Sequence, residues 1–433
     1  MIYQCVGIGI GPSNLSLASL LYPYKGLHSA FFDRKPEFAW HDGMYFPGAT
    51  LQVAIFKDLV TLSDPTNRFS FISYLHAEGK IHHFLNARFE SVPRREFRNY
   101  LKWASDANEN VHFGEEVKHV RFDEHFIIET EKRCIHAENI AVGVGTEAHI
   151  PSFARNHIGS TQFHVSEYGN KAKSLKAKRV VIVGGGQSGA EAFLDVISRE
   201  RDLLPKQVIW ISRRENFLPL DDSSFVNDYF MPSFSDYFFG QDADFKKAFL
   251  DRNVLASDGI SEKTIRDIYQ RLYVLRFIED CGNLSVLMPG RTVEQVWHDG
   301  RQWGLAVTHD ATKAKEEAVF ADIVIWATGF RNARMPFLDS LVSRLEYENV
   351  EVRIDANFAA IWDGPANRRI FMLNASRRQR GLAEPNLSLI AWRSQCVIDA
   401  MLNGAGCMRV GQKQSFVTWP PINAWPERQH RAV

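Results

Sequence analysis

Val6-Gly7-Ile8-Gly9-Ile10-Gly11-Pro12-Ser13-Asn14, almost at the start of the chain, and Val181-Ile182-Val183-Gly184-Gly185-Gly186-Gln187-Ser188-Gly189, about 175 residues later, decide the fold. Each is an apolar, strand-like run that breaks into a glycine turn and feeds a helix-like segment. In such a turn the first glycine takes the tight bend. The second lets backbone amides approach a pyrophosphate at the positive end of the helix. One turn of this kind is a weak signal. Two in this order imply two dinucleotides held in one protein, the layout of a flavin enzyme reduced by a nicotinamide.

Working outward from the first turn, the pattern predicts a strand over Tyr3–Ile8, a helix over Asn14–Leu21 and a second strand ending at Asp33. Gly9, Gly11 and Asn14 take the three GxGxxG positions, with Pro12 and Ser13 between them. Asn14 in place of the third glycine predicts that helix and strand pack slightly further apart. Asp33, about 24 residues after Gly9, stands where a carboxylate would hold a ribose hydroxyl. A glycine-rich hairpin turn is the plain alternative, but it accounts for neither the helix nor the acid.

The second unit reads as strand Val180–Val183, helix Ser188–Ser198 and strand Gln207–Ser212, and Gly184, Gly186 and Gly189 match GxGxxG in full. Here Ser212-Arg213-Arg214 replaces the acid. A carboxylate would repel a 2′-phosphate, whereas guanidinium groups bind it with paired hydrogen bonds. Arg213 and Arg214 therefore predict NADPH over NADH, against the plain alternative of two arginines on an exposed loop. Thr328 and Gly329, closing the run Asp322–Ala327, and Gly143–Thr146, closing another, suit crossovers between two nucleotide domains.

The expected fold is therefore α/β, with two Rossmann-like dinucleotide-binding domains and the NADPH domain inserted in the FAD domain. Residues 1–165 form the first part of the FAD domain, and 166–325 the NADPH domain. The latter carries a small, mostly helical substrate-binding insertion at about 214–275. Residues 326–433 return to the FAD domain, with a helix from Asn386 to about Leu402 and a loose tail from Trp419 onward.

Composition sets bounds on function. A chain of 433 residues is too long for one ordinary core, and its 45% hydrophobic content is normal for a globular protein. Lys plus Arg and Asp plus Glu stand at 51 each, so no overall field draws nucleic acid or an anionic membrane. Five scattered cysteines with no CxxC argue against a flavin disulfide reductase and for a reducing cytoplasm. No leader precedes the first strand and no apolar run approaches the ~18–20 residues of a transmembrane helix. The expectation is a cytoplasmic protein without a transmembrane segment.

Several further strings carry a family resemblance. Phe38-Ala39-Trp40-His41-Asp42-Gly43-Met44, Gln52 with Phe56-Lys57-Asp58-Leu59, Asp64-Pro65-Thr66 and Phe69-Ser70-Phe71 join the first turn. Gly185–Glu191, Asp221-Asp222-Ser223 with Phe225-Val226-Asn227, Ser257-Asp258-Gly259-Ile260 and Gly381-Leu382-Ala383-Glu384-Pro385 continue the match to near the end. Together they resemble the microbial N-hydroxylating flavin monooxygenases, in the branch of the lysine and diamine hydroxylases of hydroxamate siderophore synthesis.

The resemblance implies FAD, NADPH and O₂, with a C4a-hydroperoxide passing oxygen to a terminal primary amine and little acid–base work left to side chains. It places Trp40 and His41 around the flavin, and Gln52 near both the flavin and the amine. Lys57 and Asn227 fall on the carboxylate of an amino-acid substrate and Ser388 in the same pocket. Gln187 and Ser188 fall near the nicotinamide and Arg213 on the 2′-phosphate. Without the resemblance, Lys57 reads as a snorkelling surface lysine, Trp40 as a core aromatic and Asn227 as a cap before Pro232. Relatives of this kind are often dimers or tetramers, which implies a homo-oligomer.

Two departures stand out. Ala54-Ile55-Phe56 differs from the aromatic or serine followed by Phe-Leu common in the family, and Arg380 stands where many relatives have histidine before Gly-Leu. Three other functions stay open: L-ornithine hydroxylation, sulfide or Baeyer–Villiger oxidation, and a non-catalytic flavoprotein. The Baeyer–Villiger class carries an FxGxxxHxxx signature whose nearest approach here is Phe163-His164-Val165-Ser166-Glu167-Tyr168. Among lysine, cadaverine and putrescine the motifs do not choose, because a methylene is worth only ~1–3 kcal/mol; ornithine ranks lower because residues 254–260 resemble the lysine and diamine branch.

Overall fold

The computed structural model describes residues 1–312, 317–402 and 415–420. Two sheets organise it. The first has the spatial order Val111–Phe113, Ser29–Asp33, Ile2–Ile8, Cys134–Val142, His125–Thr130 and Val117–Asp123. Ile2–Ile8 pairs in parallel with both of its neighbours, so the first glycine turn sits at the carboxyl ends of parallel strands. Cys134–Val142 is the branch point. Its first half pairs antiparallel with His125–Thr130, while its end pairs in parallel with Ile370–Met372 from the far end of the chain.

The helix Pro12–Leu21 is buried from Asn14 onward, because it lies between the sheet and the helices Arg94–Asp106 and Ile390–Met401. Arg94–Asp106 is amphipathic by design of its sequence. Phe97, Tyr100, Leu101 and Ala104 recur at helical spacing and are buried, and its other face is polar. The opposite face of the sheet is covered by Phe337, Leu338, Leu341, Val352 and Phe358.

The second sheet is wholly parallel, in the order Ser285–Met288, Gln207–Ile211, Arg179–Val183, Ile323–Trp326 and Gln162–His164. Its central strands are apolar on both faces, as a parallel sheet covered on two sides demands. Helices Gln187–Ile197 and Glu262–Phe277 cover one face. An antiparallel meander of Arg291–His298, Trp303–His309 and Glu317–Ala321 covers the other. The chain leaves the first sheet and returns to it through Thr146–Ala148 and Phe330–Asn332, which pair antiparallel as one ribbon.

Between Gln207–Ile211 and Ser285–Met288 lie the helices Pro232–Phe239, Ala243–Arg252, Leu255–Asp258 and Glu262–Phe277. The first two share an aromatic cluster of Phe230, Phe234, Phe238 and Phe249. Trp419, read from sequence as part of a loose tail, seats against Phe234 with ring centroids 4.8 Å apart. A buried aromatic surface outweighs the local turn signal of Trp-Pro-Pro; the remainder of the expected tail, from Pro421, lies outside the described residues.

Glu351 shows a buried acid with a measurable consequence. Burial pushes its carboxyl up to about 7, although the Arg378 amide donates to both of its oxygens at 3.2 Å. A folded-state value above the unfolded one means that its contribution to stability is present in acid and lost as pH rises through about 7. Glu351→Gln is therefore expected to raise the melting temperature at pH 8 by about 2 °C or more and to leave it nearly unchanged at pH 5. Thermal melts at the two pH values check this; equal shifts at both would show that the acid is not the cause.

Candidate active site

The first turn is built for close approach. Gly9 has φ +84, and a Cβ there would lie 2.8 Å from the Gly143 carbonyl oxygen. Gly11 is extended and caps the helix, Pro12 occupies its first turn, and the first-turn amides have no intrahelical partners. Asn14 does not crowd the turn. Its side-chain amide donates to the carbonyls of Ile8, Gly9 and Ala141 at 3.1, 2.7 and 3.1 Å. The room it needs comes from Gly143, where a Cβ would fall 2.6 Å from Asn14 Nδ2. Asn14 thus acts as a stitch between strands, and its Oδ1 is buried without a partner. Asp33 accepts from the Ile10 amide at 2.8 Å and the Lys35 amide at 2.9 Å, so it braces the turn.

The second turn is tighter. A Cβ on Gly184 (φ +135) would lie 2.1 Å from the Ala327 carbonyl oxygen, and one on Gly189 2.1 Å from the Gly184 carbonyl oxygen. Gly186 caps the helix, and a Cβ there would meet the Asp258 carbonyl oxygen at 3.6 Å, an ordinary contact; Ser188 at the helix start is half-buried. Gly329, at φ +84, likewise has nothing near its missing Cβ, while the Thr328 hydroxyl donates back to the His149 carbonyl.

The two arginines expected on a phosphate have different fates. Arg214 donates to the Gly185 carbonyl at 3.1 Å and the Asp258 carbonyl at 2.9 Å, so its head group holds the turn itself. Sequence reading missed this because a backbone partner leaves no trace in side-chain pattern. Arg213 is exposed at the same edge, with no side-chain hydrogen bond or ion pair among the described residues. Gln187 is also engaged at both ends: Nε2 donates to Glu191 at 2.9 Å and Thr264 at 3.2 Å, and Oε1 accepts from the Ser261 amide at 2.7 Å.

Lys57 and Ser388, far apart in sequence, are brought together. Lys57 Nζ donates to Ser388 Oγ at 3.1 Å, and that hydroxyl in turn donates to Asn386 Oδ1 at 2.8 Å. The ammonium stands 5.9 Å from the centre of the Phe230 ring. Phe230 ends the short turn Val226–Phe230, which also carries Asn227. Asn227 is exposed, with Nδ2 on the Asp222 carbonyl at 2.7 Å, and Gln52 is exposed with no hydrogen bond. Burial lowers the Lys57 pKa, so a bound anion is favoured there.

Trp40 and His41 meet edge to face at 4.7 Å, and His41 faces Phe330 at 6.1 Å. His41 is left-handed (φ 55) and open to the cleft, yet protein walls it on most sides. Desolvation, with Arg94 nearby, holds its imidazole down to about 4. His164 was not singled out by sequence. The Ser166 amide donates to its Nδ1 at 3.2 Å, so Nε2 carries the proton and donates to the Gly329 carbonyl at 3.0 Å. Burial holds it neutral, at about 4.

Arg380, the second departure, is held inside the protein. It is 1% exposed, pairs with Asp236 at 2.8 Å and lies between the rings of Phe239 and Phe358. Phe56, in the other departure, is largely exposed.

Two glycine turns, each at the carboxyl ends of parallel strands, a half-buried lysine–serine pair and no helix among the described residues long and apolar enough to cross a membrane define a flavin-type oxidoreductase. The family model for L-lysine 6-monooxygenase/L-ornithine 5-monooxygenase matches residues 1–332, and the chain belongs to that family of N-hydroxylating flavin monooxygenases. It is 35% identical over 421 residues to the L-lysine N6-monooxygenase of Escherichia coli, covering 96% of this chain and 97% of that one. Among solved structures it is similar to the FAD-bound cadaverine monooxygenase of Erwinia amylovora, with TM-score 0.87, 25% identity and coverage of 96% and 100%. The ornithine N-hydroxylase of Kutzneria sp. 744, with reduced FAD, NADP⁺ and L-ornithine, gives TM-score 0.85, 26% identity and coverage of 93% and 99%.

Proposed function

We propose that this enzyme N-hydroxylates the terminal amine of L-lysine, with cadaverine and putrescine as next candidates, using FAD, NADPH and O₂ in hydroxamate siderophore synthesis. The observation that carries the substrate reading is the Lys57–Ser388 contact at 3.1 Å, a cation and a hydroxyl set beside the Asn227 turn. That set suits an α-carboxylate, with the amine extended toward Gln52. FAD fits the first turn, where Gly9 and Gly11 admit a pyrophosphate and Asp33 marks the ribose. NADPH fits the second, where Gly186 caps the helix without a clash and Arg213 is exposed.

When bound, the flavin supplies reduction by the nicotinamide, activation of O₂ and transfer of one oxygen atom. The protein's own residues bind, orient and keep water out. Lys57 holds the carboxylate in a half-buried site, where charge-assisted hydrogen bonds are strong. His41 and His164, kept neutral, add no positive charge beside the cleft that would repel an amine. The thiols of Cys5, Cys134 and Cys281 fit work in a reducing cytoplasm.

The test is hydroxylamine formation, not bare NADPH consumption, across lysine, ornithine, cadaverine and putrescine. Product with lysine or a diamine is expected, and its absence with all four sinks the reading. Arg213→Ala is expected to raise the KM for NADPH about tenfold or more, while the KM for NADH moves by less than about twofold. Initial rates with both cofactors check this; equal changes would take Arg213 off the 2′-phosphate.

A further inference from the structure

The flavin-side and nicotinamide-side domains are joined by a buried ion pair at the mouth of the second turn. Arg94, the first residue of helix Arg94–Asp106, crosses to Glu191 on helix Gln187–Ile197. Nη2 donates to Oε1 at 2.7 Å and Nη1 to Oε2 at 2.9 Å, a two-pronged contact with the side chains 13% and 5% exposed. Nη1 also donates to the Met44 carbonyl at 3.1 Å, which ties in the segment that follows Trp40 and His41. That segment is itself pressed into the other domain. A Cβ on Gly43 would lie 1.8 Å from the Ser166 carbonyl oxygen, and Met44 and Phe46 are buried in the core beneath the second sheet, with Phe46 4.8 Å from Tyr168.

The pair reaches the cofactor turn in one further step. Glu191 Oε1 also accepts from Gln187 Nε2 at 2.9 Å, one helical turn earlier, so the carboxylate that Arg94 orients in turn orients the Gln187 amide. We infer that Arg94 and Glu191 form a latch that fixes the nicotinamide-side domain, through Gln187, at the distance from the flavin needed for hydride transfer. The inference rests on the assignment of NADPH to the second turn. Arg94 and Glu191 are positioning residues. Hydride transfer requires its reacting atoms about 3–3.5 Å apart, and a misplacement of about 1 Å costs on the order of 100-fold in rate. A carboxylate left without its guanidinium partner would draw the Gln187 amide differently and loosen the joint.

The experiment is anaerobic rapid-mixing of the FAD-loaded enzyme with saturating NADPH, comparing the parent with Glu191→Gln, Arg94→Lys and the exchange Arg94→Glu/Glu191→Arg. Glu191→Gln and Arg94→Lys are expected to slow flavin reduction about tenfold or more. FAD content, the KM for lysine and reoxidation of chemically reduced enzyme by O₂ should stay within about twofold. The exchange variant restores the ion pair but not the acceptor for Gln187 Nε2, so its reduction should stay slow. Reduction within about twofold of the parent in both single variants would overturn the latch. A parallel loss of FAD in both would reduce the pair to a fold contact and overturn it equally. A parent that NADPH does not reduce would instead bring down the functional reading, and the latch with it.

Discussion

Lys57→Ala is expected to raise the KM for L-lysine about 10- to 100-fold and to move the KM for cadaverine by less than about threefold. The reason is chemical. A charge-assisted hydrogen bond in a half-buried site is worth about 1.5–3 kcal/mol, and only a substrate with an α-carboxylate makes it. Lys57 sits on Ser388 at 3.1 Å and beside Phe230, with its pKa lowered by burial. A carboxylate would restore the charged form, so lysine binding is expected to weaken as pH rises toward the group's own pKa. Steady-state product assays with both amines measure the contrast. If cadaverine suffers as much as lysine, Lys57 is not a carboxylate binder.

Arg393→Met is expected to cost about 3–5 kcal/mol, the penalty for leaving a buried charge without its partner. Arg393 and Glu384 are 1% and 3% exposed, with Nη1 to Oε1 at 3.0 Å and Nη2 on the Glu384 carbonyl at 3.1 Å. Burial raises the Glu384 pKa and lowers that of Arg393, the shared signature of two charges held in an apolar place. The loss should appear as a melting temperature lower by about 6 °C or more. Pairing it with Glu384→Gln should recover much of the loss, since an uncharged pair escapes the desolvation cost. Calorimetry on single and double variants decides this, and additive losses would refute it.

The two glycine turns were legible because their chemistry is local: strand, bend, helix and a carboxylate or arginine at the next strand end all fall within about thirty residues. Helix Arg94–Asp106 likewise carries its apolar spacing in its own residues. Contacts between distant segments were not legible. Arg214 and Arg213 look equivalent in sequence, yet only the fold brings the Asp258 carbonyl to one of them. Asn14 reads as a poor substitute for glycine until Gly143 is placed opposite it. Arg380 stands out in sequence only as a replacement for histidine; the fold closes Asp236, Phe239 and Phe358 around it. Arg94 finds its partner Glu191 about 97 positions away, beyond any local pattern.

The ribbon of Thr146–Ala148 against Phe330–Asn332 has a consequence for engineering and for descent. Ala148 faces Phe330 directly, so the outgoing and returning strands of everything between them are neighbours in one ladder, about 5 Å apart. A segment whose two ends are neighbours can be exchanged as a cassette, provided the incoming one keeps the surface that receives Gly43, Met44 and Phe46. Residues 149–329 from a relative with a different coenzyme preference could be grafted onto this flavin-binding half. The graft would need a carboxylate at position 191 to meet Arg94, so the joint itself records which halves were made for each other.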